Sequence, residues 1–547
     1  MPTIAFERAY NFNAGLGEGG DWLSSILGDR SRYTIESTTS TTLVLVGNAS
    51  SGLPGYKVVF TPVTTFAQKL FGDPIAGPIK TIQFYDPAGA LVATVSDLPP
   101  DVDFSVVKSN ILFGATGVEI IGSAGADTLT AYWAGSYLEG GAGADRLNGA
   151  GGDDAIVAGV DDTVNGGGGF DIALAENGAQ PVLVFLNQPA GAGAIKIDNV
   201  EVVLVGDAGG TVWGGLADEV VLGGAAGDRL DGGGGNDGLG GLGGADTLTG
   251  SLGDDILDGG EGADLLDGGA GVDLADYSAA AGAVTVDLRI AGAQQTGYGL
   301  DTLVSVESLY GSDYADTLTG DAAGNGLEGA AGADLMEAGD GADTVAGGQG
   351  DDRLFGGAGD DDLSDDGGLN FVRGGDGNDV LTGGADFDDL HGNWGEDTVI
   401  GGLGGDWVVG GQGNDSLYGN GGGDVVYGNL GNDTQFGEEG NDWVRGGQGD
   451  DSVSAGAGDD FVAGDRGADT LSGGAGADLF HAFSGVGLDR ITDFNAAEGD
   501  RLNLLVGTSY TLRQDGADAV VDMGGGDQVV LAGVQLTALP TGWIFVS

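Results

Sequence analysis

Apolar residues recur along this chain with a period of nine. From 311 to 481 the period holds through nineteen units without insertion or deletion, and the eighth residue of a unit is apolar in eighteen of them, Gln435 being the exception. One unit reads Gly347-Gly348-Gln349-Gly350-Asp351-Asp352-Arg353-Leu354-Phe355. The first and fourth positions are each Gly in sixteen units, and the sixth is Asp in seventeen and Asn in two, Asn325 and Asn370. Gly admits turn conformations that other residues avoid, so positions one to six read as a turn and seven to nine as a short strand. Strand side chains alternate, which sends the eighth inward and the seventh and ninth outward. Two units then close one flattened coil, and the fold class is an all-β solenoid with a thin apolar core between two parallel sheets. Coils stacked about 4.8 Å apart would carry the nineteen units over roughly 45 Å.

The same period appears twice before. One array spans 116–174, and includes Gly122 to Leu129, Gly140 to Asn148, Gly149 to Val157, one shortened unit and Gly166 to Leu174. A second spans 206–276 and holds its register from Gly214 to Asp276. The spacers at 175–205 and 277–310 resemble each other. The first holds Val182-Leu183-Val184-Phe185-Leu186 and then Ile197 to Val203; the second holds Val284-Thr285-Val286-Asp287-Leu288 and then Leu303 to Leu309. They read as one module used twice. Residues 1–115 differ in kind, with alternating stretches at Thr41–Val46, Lys57–Phe60, Ile79–Tyr85 and Leu91–Val95 and a hairpin turn at Asp86-Pro87-Ala88-Gly89; they predict a small separate β domain. After His481 the period stops, and 482–547 is placed to cap the last turn.

Charge narrows the function. Eighty-four acidic against eighteen basic residues give a formal net charge of −66, and all five lysines lie at or before Lys196. Nucleic acid is excluded as a partner, since phosphate contacts need Lys and Arg. No apolar run approaches the ~18 residues of a membrane span. The chain has no Cys and its first residues show neither a basic n-region nor an apolar core, which suits a protein exported without a cleaved leader.

The acids fall on a lattice. A carboxylate returns to the sixth position of all but two of the nineteen units, so that one edge of the coil carries Asp334, Asp352, Asn370 and Asp388 and the other Asp343, Asp361, Asp379 and Asp397. The remaining lattice acids are Asp127, Asp145, Asp154 and Asp171 in the first array and Asp228, Asp237, Asp246, Asp255, Asp264 and Asp273 in the second. In the third they are Asp316, Asp406, Asp415, Asp424, Asp433, Asp442, Asp451, Asp460, Asp469 and Asp478. Bare carboxylates this close repel, and a hard divalent cation between turns would remove the repulsion. Oxygen ligands on flexible loops suit Ca²⁺ better than Mg²⁺, and no His–Cys set exists for zinc or copper.

The pattern Gly-Gly-x-Gly-x-Asp-x-apolar-x resembles the RTX calcium-binding family, whose signature it is. The resemblance covers residues 116–504, including the spacer from Asp273 to Leu288 and the segment around Asp493-Phe494-Asn495 and Gly499-Asp500. It implies a right-handed parallel β-roll, many Ca²⁺ ions with a role in folding, and export by a type I secretion system reading an uncleaved C-terminal signal to the cell surface or beyond. At low cytosolic calcium the acidic, Gly-rich chain would stay unfolded; outside, calcium binding would become folding free energy.

Catalysis is not expected. His391 and His481 both occupy the ninth, outward position of a unit and neither lies in His-Glu-x-x-His; no Gly-x-Ser-x-Gly occurs. The reading is a calcium-folded structural protein of a surface layer, matrix or adhesive coat. The alternative is a secreted hydrolase with a site in residues 1–115. Trp407 and Trp443 at seventh positions and Tyr427 at a ninth fall on one sheet face, a candidate contact for another copy of the chain or a glycan.

Overall fold

The computed structural model describes residues 119–122, 124–131 and 135–547, together with four earlier strands: Val44–Val46, Lys57–Val59, Thr81–Tyr85 and Leu91–Ser96. The first two pair antiparallel, as do the last two, with Thr81 opposite Ser96. The Asp86–Gly89 turn and the separate domain expected over 1–115 otherwise lie outside the described residues. The only helix among the described residues is one 3₁₀ turn, Leu536–Ala538. No helix there is long and apolar enough to cross a membrane.

The chain is an all-β, parallel solenoid of nonapeptide repeats, divided into two compact units. In the C-terminal unit, strands such as Leu335–Asp340, Arg353–Ala358 and Phe371–Asp376 pair in parallel with a register of eighteen residues: Leu335 faces Arg353 and Arg353 faces Phe371. Thirteen strands of this kind form one sheet. The opposing ladder runs through Thr344–Ala346, Asp362–Ser364 and Val380–Ala385 to Thr470–Ala475. Between them lies the core expected from the sequence. The eighth residue of every unit from Leu318 to Phe480 is at most 2% exposed, Gln435 included.

Some strands keep the expected three residues, as Thr344–Ala346 and Asp362–Ser364 do, but most of the long array has strands of six or seven. Arg353–Ala358 spans positions seven to nine of one unit and one to three of the next, and its ladder resumes at Gly339 opposite Gly357 and Asp340 opposite Ala358. Position one drops out of that pairing while position two turns to positive φ (Gly357, 113°). A bend built on Gly lets the ladder continue where a turn was expected.

In the N-terminal unit the register is less regular. Ile172 pairs with Ala155, seventeen residues back, across the shortened unit. Both spacers use the same crossover. In the first, the earlier strand Val182–Leu186 pairs forward with Gly210–Trp213 and the later strand Ile195–Asp198 pairs backward with Thr163–Asn165. In the second, Thr285–Asp287 pairs forward with Thr317–Thr319 and Leu300–Val304 backward with Leu265–Ala270. At the C-terminal end, Leu488–Ile491 and Arg501–Leu504 extend the two ladders. Phe494 lies between Phe480 and Trp543, each ring centroid 5.9 Å away, over the last turn.

Candidate metal centre

From Asp145 onward, each lattice aspartate sits at the residue before a strand and works through three groups. Its carbonyl accepts the N–H that opens the strand one turn on, as Asp334 does from Arg353 at 2.8 Å. Its Oδ1 accepts the N–H of the equivalent residue one turn back: Asp334 Oδ1 from Asp316 at 2.7 Å, Asp352 Oδ1 from Asp334 at 2.7 Å, Asp424 Oδ1 from Asp406 at 2.8 Å. The carboxylates thus extend the backbone ladder by one bond per turn. All twenty-seven predicted lattice acids are buried, none more than 4% exposed.

The second oxygen is where the chemistry lies. Oδ2 has no hydrogen-bond partner at Asp145, Asp154, Asp171, Asp237, Asp246, Asp255 and Asp264, nor at any lattice aspartate from Asp334 to Asp478. Exceptions follow local donors. Asp228 Oδ2 accepts Gly224 N–H at 2.8 Å, and Asp316 Oδ2 accepts from Ser312. Burial is the main force on these groups, and it pushes Asp334, Asp361, Asp379, Asp388, Asp415, Asp424, Asp451 and Asp478 up to about 7, opposed by the backbone bond at Oδ1 and helped by the charge of adjoining lattice acids. A buried carboxylate oxygen without a donor is costly unless a cation meets it.

The Gly at position one makes room. A Cβ on Gly419 would stand 2.5 Å from Asp424 Oδ2 and 2.9 Å from the carbonyl oxygen of Gly437, one turn on. A carboxylate and a carbonyl therefore converge there, a donor set of oxygens only, which fits Ca²⁺. No group of three or more acidic, His or Cys side chains converges among the described residues, so a cation would draw on backbone carbonyls as well. The two neutral positions behave differently. Asn325 donates its Nδ2 to Glu307 O at 3.0 Å and accepts Asp321 N–H at 2.7 Å; Asn370 Oδ1 accepts Asp352 N–H at 2.9 Å.

Several residues of this lattice were not read from the sequence. Asp162, Asp301, Asp489 and Asp500 take the lattice role at spacings of 17, 37, 20 and 22 residues, each accepting the N–H of Asp145, Asp264, Asp469 or Asp478. Glu219 fills the sixth position of its unit, is 2% exposed and leaves Oε2 unpaired. A second ladder runs the opposite way on the exposed fifth position, where Asp351, Asp360, Asn414, Asn432 and Asp450 accept the N–H one turn later. The Asp or Asn at position five of these units was its signal.

The outward seventh positions of the two ladders differ, although the ladder opposite the tryptophans also carries Tyr418 stacked on Phe436. Trp407 and Trp443 are each 49% exposed, on strands with Val425 between them in register. Tyr427 lies under the guanidinium of Arg445, and Arg373 stacks on Phe371 at 3.5 Å. His391 bonds Asp389 at 2.9 Å. The opposite ladder carries Thr344, Thr398, Ser416, Thr434, Ser452 and Thr470 at the same seventh position.

The model of the RTX calcium-binding nonapeptide repeat matches residues 137–161, 213–248, 240–275, 306–336, 328–363, 337–372, 364–399, 373–407, 400–435, 436–471 and 454–485. This is an RTX repeat protein. Its β-roll and its calcium-binding repeats are those of that family. Among solved structures the RTX chain is similar to the AlgE6R3 subunit of the mannuronan C5-epimerase of Azotobacter vinelandii, at 25% identity over 24% of this chain and 78% of that one, with a TM-score of 0.17. It is also similar to the extracellular lipase LipA of Serratia marcescens, at 17% identity over 64% of this chain and 45% of that one, with a TM-score of 0.15. No curated protein matches it.

Proposed function

We propose that this RTX protein is exported by a type I system, folds on calcium outside the cell and serves there as a structural component of a surface layer, matrix or adhesive coat. The observation that carries the reading is the row of buried Oδ2 atoms without donors. An array so built is incomplete without cations, and calcium at the ~10⁻³ M of extracellular-type sites would complete it. The lattice acids named above, from Asp127 to Asp478, are the proposed ligands, together with carbonyls of the turns. The RTX resemblance supports the export route. The acidic, stiff solenoid supports a structural role, and we place the contact with a cell-surface glycan on the sheet that bears Trp407, Tyr427 and Trp443.

Electron microscopy and far-UV circular dichroism with calcium and with excess chelator test this. Sheets, filaments or a surface coat that form only with calcium are expected, and Ser at the three aromatic positions should weaken attachment to glycan. A β-rich spectrum unchanged by chelator would remove the calcium-folding reading. Discrete monomers that hydrolyse a substrate would replace the structural role with the hydrolase alternative.

A further inference from the structure

One unit departs from the lattice twice. Its sixth residue is the neutral Asn370, and its first residue is Asp365, where sixteen of the nineteen units have Gly. Asp365 is 4% exposed; its Oδ1 accepts Gly367 N–H at 2.9 Å and its Oδ2 has no partner. Asp352, one turn back, is 1% exposed and its Oδ2 is likewise unpaired. A Cβ on Gly347 would stand 2.8 Å from Asp352 Oδ2 and closer still to Asp365 Oδ2. Both unpaired oxygens therefore converge on one buried point. In an ordinary turn, as at Gly419, the same point is flanked by one carboxylate and one backbone carbonyl.

Burial raises both carboxyls, and the charge of Asp352 raises that of Asp365 further. Two desolvated carboxylates in contact need either a shared proton or a cation. The repeat already repels itself along this edge, and a second acid at a Gly position adds to that repulsion unless an ion is held there. We propose that Asp365 and Asp352 bind one calcium ion at a site outside the nonapeptide pattern, Asp365 supplying the carboxylate that Asn370 withholds. The ion row is then continuous across the unit whose signature residue is neutral. The proposal rests on the calcium reading above and adds one ligand to it.

The test counts calcium by mass spectrometry of the metal, on the full-length protein after gel filtration in calcium, with circular dichroism to confirm the fold. Asp365→Asn keeps the bond to Gly367 and removes only the charge, and Asp365→Gly restores the residue usual at that position. Asp365→Asn should bind one ion fewer than the parent, and Asn370→Asp added to Asp365→Gly, which rebuilds an ordinary lattice turn, should bind as many as the parent. An unchanged count in Asp365→Asn, as a shared proton would give, overturns the proposal, as does a count below the parent's in Asp365→Gly with Asn370→Asp. A parent protein that binds no calcium would instead overturn the calcium reading itself.

Discussion

Acid should fold this protein without calcium. In the folded long array the lattice carboxylates from Asp334 to Asp478 are buried and lack a donor at Oδ2. Eight of those in the long array are pushed up to about 7, and Asp343, Asp397, Asp433, Asp460 and Asp469 to about 6, burial being the largest cause at each. The unfolded chain keeps the ordinary aspartate value near 3.9. A folded value above the unfolded one gives stability that is complete below pH ~4 and is lost as pH rises through the folded value. The window is therefore about pH 4 to 7, and within it folding takes up protons. Each proton taken up makes the fold about 1.4 kcal/mol more stable per unit fall in pH. With only about three protons taken up, the change is still about 4 kcal/mol per pH unit. Far-UV circular dichroism of the chelated protein between about pH 8 and pH 5, with potentiometric proton uptake in parallel, measures both. A β spectrum that appears on acidification with uptake of several protons is expected. A spectrum that stays unfolded to pH 5, or a fold that strengthens as pH rises, would refute the reasoning.

Three substitutions separate the roles described above. Asp424→Asn keeps an acceptor for Asp406 N–H and removes the unpaired anion, so it should raise the pH at which the chelated chain folds, yet raise the calcium needed to fold at about pH 8; calcium and pH titrations of the spectrum read the two signs. Gly359→Ala puts a Cβ into the carbonyl oxygen of Gly341 at a φ of 136°, and neither backbone atom can yield, so a loss of about 3 kcal/mol or more by denaturant unfolding in calcium is expected. Gln435 is fully buried with Oε1 unpaired although its Nε2 donates to Arg445 O at 2.8 Å; Leu there should stabilise by about 1 kcal/mol, read as a higher denaturant midpoint in calcium.

The period of nine was enough to place the core and the acids, because both follow from which residue returns to the same point of the coil. Leu354, Val372 and Leu390 stack at one register as expected, and so do Asp352 and Asp388 with Asn370 between them. What the period could not supply was everything set by pairing across a break in register. Asp301 meets Asp264 only because a spacer strand folds back on the preceding turn, and Asp489 and Asp500 meet the last turn across loops of their own length. Strand length was misread for a different reason. Consecutive Gly reads as turn in sequence, whereas here Gly375 and Gly357 pair within the ladder, a use of Gly that depends on the next coil being present. The division of labour between the two oxygens of each aspartate was likewise hidden, since it rests on which of them a backbone N–H from another turn can reach.

The close stacking of turns has a consequence for whatever the outer surface meets. Where a Cβ at Gly413 or Gly431 would overlap the carbonyl of the preceding turn, successive coils can neither approach nor slide without breaking the ladder. Distance along the array is then quantised. A side chain's address is its repeat number, and Trp407 and Trp443, two coils apart, are held about 10 Å from each other. The array behaves as a graduated rule, on which moving a contact by one mark means moving it by eighteen residues of sequence.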